Sequence, residues 1–103
     1  MISKELLNKQ IWYPCGYDET LDDMIYDFKC GSDEFTYKGH QYRVREEYNP
    51  KQNHRWMPAI GPNNHCDESW KFFDTFEDLV ENYKFPDGKT MLDFIFTDPN
   101  DLK

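Results

Sequence analysis

The chain has no apolar run approaching the 18 or so residues that a membrane-spanning helix needs, and its apolar stretches are only a few residues long. No membrane span is expected. Residues 1–10 also lack the apolar segment of a secretory signal, so the chain reads as cytoplasmic. Cysteine is scarce: Cys15, Cys30 and Cys66 are odd in number and far apart, which excludes a paired disulfide framework and fits a reducing compartment. The three Cys and three His include no two ligand pairs at zinc spacing, so neither metal nor cofactor is expected. The acidic groups Asp18, Glu19, Asp22 and Asp23, like Asp98, Asn100 and Asp101, lack the alternation, central Gly and distal Glu of a calcium loop. Gly88-Lys89-Thr90 has neither the earlier Gly nor the preceding strand of a phosphate-binding loop and reads as Pro-Asp-Gly turn chemistry.

An excess of positive charge is also missing. The 103 residues carry a net charge of -8, and the charge lies in blocks: +1 over residues 1–17, -6 over 18–35, +3 over 36–57 and -6 over 58–103. An acidic whole disfavours nonspecific nucleic-acid binding, whose affinity comes mainly from neutralising phosphates. Nucleic acid is therefore not the expected partner; a protein with a basic surface is.

Aromatics are plentiful at 17%, enough to fill a modest core with few, large side chains. The clearest local signal is Glu34-Phe35-Thr36-Tyr37-Lys38-Gly39-His40-Gln41-Tyr42-Arg43-Val44. With Lys38-Gly39 as a two-residue loop, Tyr37 faces His40, Phe35 faces Tyr42 and Glu34 faces Arg43, so aromatic face, register and charge pairing agree. Lys38 is less typical of the first loop position than Asn or Asp, which leaves a longer loop open.

Elsewhere, Ser3 caps a short helix through Asn8. Thr20, with Asp23 three residues on, opens a second helix whose apolar face is Leu21, Met24, Ile25 and Phe28 and whose stop is Gly31. A strand placing Met24, Tyr26 and Phe28 on one face is the competing reading. Arg55 to Ile60 is a possible strand, confined by Pro58 to a sheet edge or to a strand's end. Ser69 to Phe73 reads as a strand leading into a helix capped by Asp74 or Thr75, with Phe76, Leu79, Val80 and Tyr83 as its apolar stripe. Thr90 to Phe96 suits a final strand or a short helix. No internal repeat or low-complexity linker divides the chain.

These elements predict one α+β domain over residues 1–103. Its three- or four-stranded antiparallel sheet comes from Glu34–Tyr37, His40–Glu46, Arg55–Ile60 and Ser69–Phe73, with helices on one face. Phe35, Tyr37, Tyr42, Val44, Phe72, Phe76, Leu79, Val80 and Tyr83 are the expected core.

The hairpin residues Phe35 to Val44, followed by Phe76-Glu77-Asp78-Leu79 and by Asp87-Gly88-Lys89-Thr90-Met91-Leu92-Asp93-Phe94-Ile95, resemble short uncharacterised bacterial proteins associated with gut bacteria and their mobile elements. The resemblance implies a small α+β domain and brings no activity, cofactor or site residue.

No residue set in the chain makes a convincing reaction centre, so a non-catalytic binding or regulatory protein is expected. Its candidate interaction face is Lys38, Arg43, Arg45, Arg55 and Trp56, where cations alternate with His40, Tyr42, Tyr48 and Trp56. Strand alternation puts Arg43 and Arg45 opposite the aromatics of the hairpin, facing solvent. Two other classes stand beside it. Asp18, Asp22, Asp23, Glu77, Asp78 and Glu81 could imitate nucleic-acid phosphates and occupy a DNA- or RNA-binding enzyme; Cys66 with His54 and a carboxylate could serve a small hydrolase.

Overall fold

In the computed structural model, which describes residues 2–12, 19–51, 55–63 and 69–97, the chain forms an α+β fold. Four short helices, α1 (Lys4–Leu7), α2 (Leu21–Cys30), α3 (Phe76–Asn82) and α4 (Met91–Ile95), accompany strands β1 (Asp33–Tyr37), β2 (His40–Asn49), β3 (Arg55–Pro62) and β4 (Lys71–Phe72). The sheet is antiparallel in the order β1-β2-β3-β4.

The hairpin has the expected register, with Tyr37 opposite His40, Phe35 opposite Tyr42 and Glu34 opposite Arg43. Lys38 and Gly39 have φ of 49° and 83°, so both loop residues take the positive φ of a type I′ turn and the longer loop is not used. Lys38 bears a Cβ in this region and is held there from outside. Residues Phe85 to Lys89 make a second tight turn, closed by Gly88 N–H to Phe85 O at 2.8 Å and Phe85 N–H to Lys89 O at 2.8 Å. Its Asp87 carboxylate accepts from Tyr37 Oη at 2.5 Å, from Lys38 Nζ at 2.6 Å and from the Lys89 amide at 3.0 Å. The two turns are thereby clasped together.

Phe85, buried at 2% exposure, is driven by this clasp into the core. Its ring stacks on Tyr37 with centroids 3.8 Å apart and meets Tyr42, Tyr83 and Phe94 edge-on at 5.2, 5.3 and 5.7 Å. Burial, then the neighbouring Tyr42 and a hydrogen bond with its hydroxyl, pushes Tyr83 up to about 12.

Segment 21–30 is helical. Thr20 and Asp23 form a reciprocal capping box, and the apolar face buries Leu21, Met24, Ile25 and Phe28. The competing strand does not form, because the cap and the i, i+3, i+4, i+7 stripe act together. Thr90 and Asp93 make the same box on α4, which settles the last apolar segment as helix. Thr75, not Asp74, caps α3. Phe76, Leu79 and Val80 pack with Phe28 and Phe94 against the sheet face carrying Phe35, Tyr37, Tyr42, Val44 and Ile60.

Four details differ from the sequence reading. β2 runs to Asn49, past Glu46, and β3 to Pro62, past Ile60. β3 is an inner strand, despite Pro58: Phe73 N–H donates to Pro58 O at 2.9 Å, so the nitrogen of Pro58 faces β4 and the ladder to β2 loses no bond. Ser69 to Phe73 shrinks to two paired residues. Continuing the register of Ala59 with Phe72 and Ile60 with Lys71 would set Phe73 against Pro58 and Ser69 against Pro62. Neither proline can donate, so the ladder stops at both ends. Lastly, Phe72 and Tyr83, expected in the core, are half-buried.

The opposite sheet face has its own cover. Trp70, 3% exposed, lies against Gly61 so closely that a Cβ there would collide with the indole, and the Arg45 guanidinium sits over the ring, 4.9 Å from its centroid.

Two outcomes follow. Leu79→Ala removes a fully buried side chain and is expected to cost on the order of 2 to 5 kcal/mol in urea unfolding; a loss under about half a unit would put that helix face in solvent. The Asp87 carboxyl is held well below the usual carboxylate range by Lys38, then by Tyr37 and the Lys89 amide. A depressed folded pKa gives stability that is complete above the unfolded value of about 4 and is lost as pH falls below it. Between about pH 5 and pH 2.5 the urea midpoint of the wild type should therefore fall more steeply than that of Asp87→Asn; parallel curves would show that the clasp contributes no linkage.

Candidate functional site

Strand alternation divides the candidate interaction residues. Arg43, Arg45 and Arg55 share the face of Met57, Ala59 and Gly61, whereas Trp56 lies on the face of Tyr48 and Ile60, and Lys38 occupies the β1–β2 turn. Each of the four cations meets a carboxylate: Lys38 meets Asp87 at 2.6 Å, Arg55 meets Asp74 at 3.5 Å, Arg43 meets Glu34 and Arg45 meets Glu47. Arg43 also donates to Asn63 at 2.8 Å and to Ser32 at 3.3 Å. The basic strip is thus a set of local ion pairs, with the three arginines on one face, Lys38 in the turn and Trp56 on the other face.

Among the acidic candidates, Asp22 and Asp23 stand in the first turn of α2, where Asp23 accepts from the Thr20 amide. Glu77, Asp78 and Glu81 lie on α3, and Glu77 pairs with Lys29 at 3.1 Å. Asp18 lies outside the described residues, as do His54 and Cys66, the proposed catalytic pair. Burial, then the neighbouring Asp27, pushes the Asp33 carboxyl up. Among the described residues no group of three or more His, Cys, Asp or Glu could hold a metal ion, and no helix is long and apolar enough to cross a membrane.

What does gather is one corner of the sheet. Trp56 is 66% exposed and Tyr48 is 43% exposed; they face each other across β2 and β3 with centroids 5.9 Å apart in an edge-to-face arrangement. Arg55, before Trp56, reaches Asp74, and Met57, after it, lines a hollow of about 360 Å3 with Phe72, Phe73, Asp74, Asp78 and Asn82. A second hollow of about 400 Å3 shares Phe72, Phe73 and Asn82 and continues to Lys71, Tyr83 and Lys84. Together they form a groove between β4 and α3 with Phe72, Phe73 and Asn82 common to both hollows, acidic at the Asp74 and Asp78 end and basic at the Lys71 and Lys84 end. Neither end carries a nucleophile and base within reach of each other; the corner presents apolar area, charge and hydrogen-bonding groups.

Sequence reading picked out Trp56 and grouped it with the cations. Strand alternation by itself puts Phe72 in the core and assigns Phe73 to no surface. The signal that could have placed Phe72 at the surface is the Pro58 and Pro62 pair, which limits β4. Comparison of the chain with protein-family profiles, with curated proteins and with solved structures gives no match.

An exposed cross-strand aromatic pair contributes about 0.2 to 1 kcal/mol, so Trp56→Ala should lower unfolding stability by no more than about 1 kcal/mol. Chemical denaturation tests this; a larger loss would assign Trp56 to the fold instead of the surface.

Proposed function

We propose that the chain is a non-catalytic binding protein that contacts another protein through the corner formed by Tyr48, Trp56 and the β4–α3 groove. The observation that carries this reading is Trp56, two-thirds exposed on a regular strand and held edge-on by Tyr48, next in the chain to Met57, which lines the groove. The cross-strand pair with Tyr48 gives the fold at most about 1 kcal/mol, whereas Trp and Tyr are the residues that concentrate binding energy at protein interfaces. The net charge of -8 makes a basic protein the favoured partner, since the long-range field speeds encounter with positive surfaces and slows it with polyanions. Imitation of nucleic-acid phosphates has less support: Lys29 closes on Glu77 and Asp23 serves its own helix cap, which dilutes any continuous acidic track.

Affinity capture from the source cell followed by mass spectrometry, run in parallel with the wild type and Trp56→Ala, tests the reading. A basic protein retained by the wild type should be depleted with Trp56→Ala, by a loss of about 2 kcal/mol, which is more than tenfold in affinity. Retention unchanged by Trp56→Ala would refute the assignment of this corner. Submicromolar binding of a free oligonucleotide at physiological ionic strength, abolished by Arg43→Glu together with Arg45→Glu, would move the function to the opposite sheet face.

A further inference from the structure

The β3–β4 register fixes which backbone groups of the edge strand look outward. Phe73 N–H points to Pro58, so Phe73 and Lys71 direct their backbone groups inward, and Phe72, between them, directs both its N–H and its C=O away from β3. Among the described residues neither group meets a backbone partner, and one outward donor with one outward acceptor on a single residue is what an added antiparallel strand exchanges with one residue of its own. Phe72 also belongs to both hollows of the groove, whose ends carry opposite charge.

We propose that the outer edge of β4 takes up an extended segment of a protein partner as a fifth strand, in a short β-augmentation centred on Phe72. This rests on the protein-binding reading and names its mode. The incoming strand runs antiparallel to β4. It places a basic residue, N-terminal in the segment, near Asp74 and Asp78, an apolar side chain against Phe72 and Phe73, and an acidic residue near Lys71 and Lys84. β4 is singled out from the β1 edge because its outward-facing residue, Phe72, also lines both hollows. A foreign segment is favoured over a second copy of the chain because two copies would bring charges of -8 together.

The test uses the full 15N-labelled chain and the probe acetyl-Arg-Val-Phe-Val-Glu-amide. Beside it run the same peptide N-methylated at its central Phe and the charge-reversed acetyl-Glu-Val-Phe-Val-Arg-amide. Saturation with the first peptide should slow hydrogen exchange of the Phe72 amide by at least about tenfold, and both controls should bind at least about tenfold more weakly. Lys71→Glu with Lys84→Glu, checked for an unchanged unfolding midpoint, should weaken binding of the first peptide. Equal binding of the methylated peptide, unchanged Phe72 exchange at saturation, or no binding overturns the proposal. So does slowing of Phe72 exchange that rises with protein concentration alone, which would put a second copy at the edge. A partner captured through Trp56 that leaves Phe72 exchange unchanged removes this inference and keeps the protein-binding reading. Capture indifferent to Trp56→Ala removes that reading, while the peptide arms still report on the edge.

Discussion

The fold turns on Phe85. The clasp at Asp87 fixes where this ring enters, and the ring in turn joins the β1–β2 hairpin to α4 through Tyr37, Tyr42 and Phe94. Neither partner could hold its shape alone. A two-residue turn with a lysine at positive φ is strained, and a helix of five residues lies far below the length at which helices persist in water. Each becomes stable because the other presents a surface. The same carboxylate makes the junction electrostatic as well as hydrophobic: it restrains Lys38 where the turn needs it, while burial and the bond to Asp87 hold the Tyr37 hydroxyl in its protonated, donating form by pushing its pKa up.

The sheet distributes its two faces unequally, and the site is a consequence. One face is closed by α2, α3 and α4; the other is covered where Trp70 lies over Gly61, beneath Arg45. Trp70 anchors the chain just before β4, while the prolines of β3 restrict β4 to two residues. A strand so short has little edge to expose, which limits indiscriminate edge pairing. What it leaves open is a single outward backbone pair beside a groove, and selectivity then depends on side chains at the groove's ends.

The hairpin was legible because turn chemistry, period-two alternation and a cross-strand charge pair are all local and point to one register. The helices at 21–30 and 76–82 were legible for a similar reason, a cap followed by an apolar stripe. Phe85 was not: it stands alone between Lys84 and Pro86, and nothing periodic marks it as buried. The true extent of β4 was hidden because its limits are set by Pro58 and Pro62 on another strand, through a register that sequence alone does not supply. Trp56 was visible as part of a cationic and aromatic stretch. Strand parity, known only once β2 and β3 are aligned, separates it from Arg43, Arg45 and Arg55.

That separation changes how the charge blocks are understood. Summed along the chain they suggest a basic band between acidic flanks, yet Glu34, Glu47, Asp74 and Asp87 reach the band's cations at contact distance. As it comes within the Debye length of about 8 Å, a partner meets an acidic molecule with this pairing already averaged in. Once in contact, it meets exposed aromatic area and the two ends of the β4–α3 groove. Net charge therefore governs which partners approach, and the Trp56 corner governs which remain bound, because desolvating paired exposed ions returns little while burying an aromatic ring returns much.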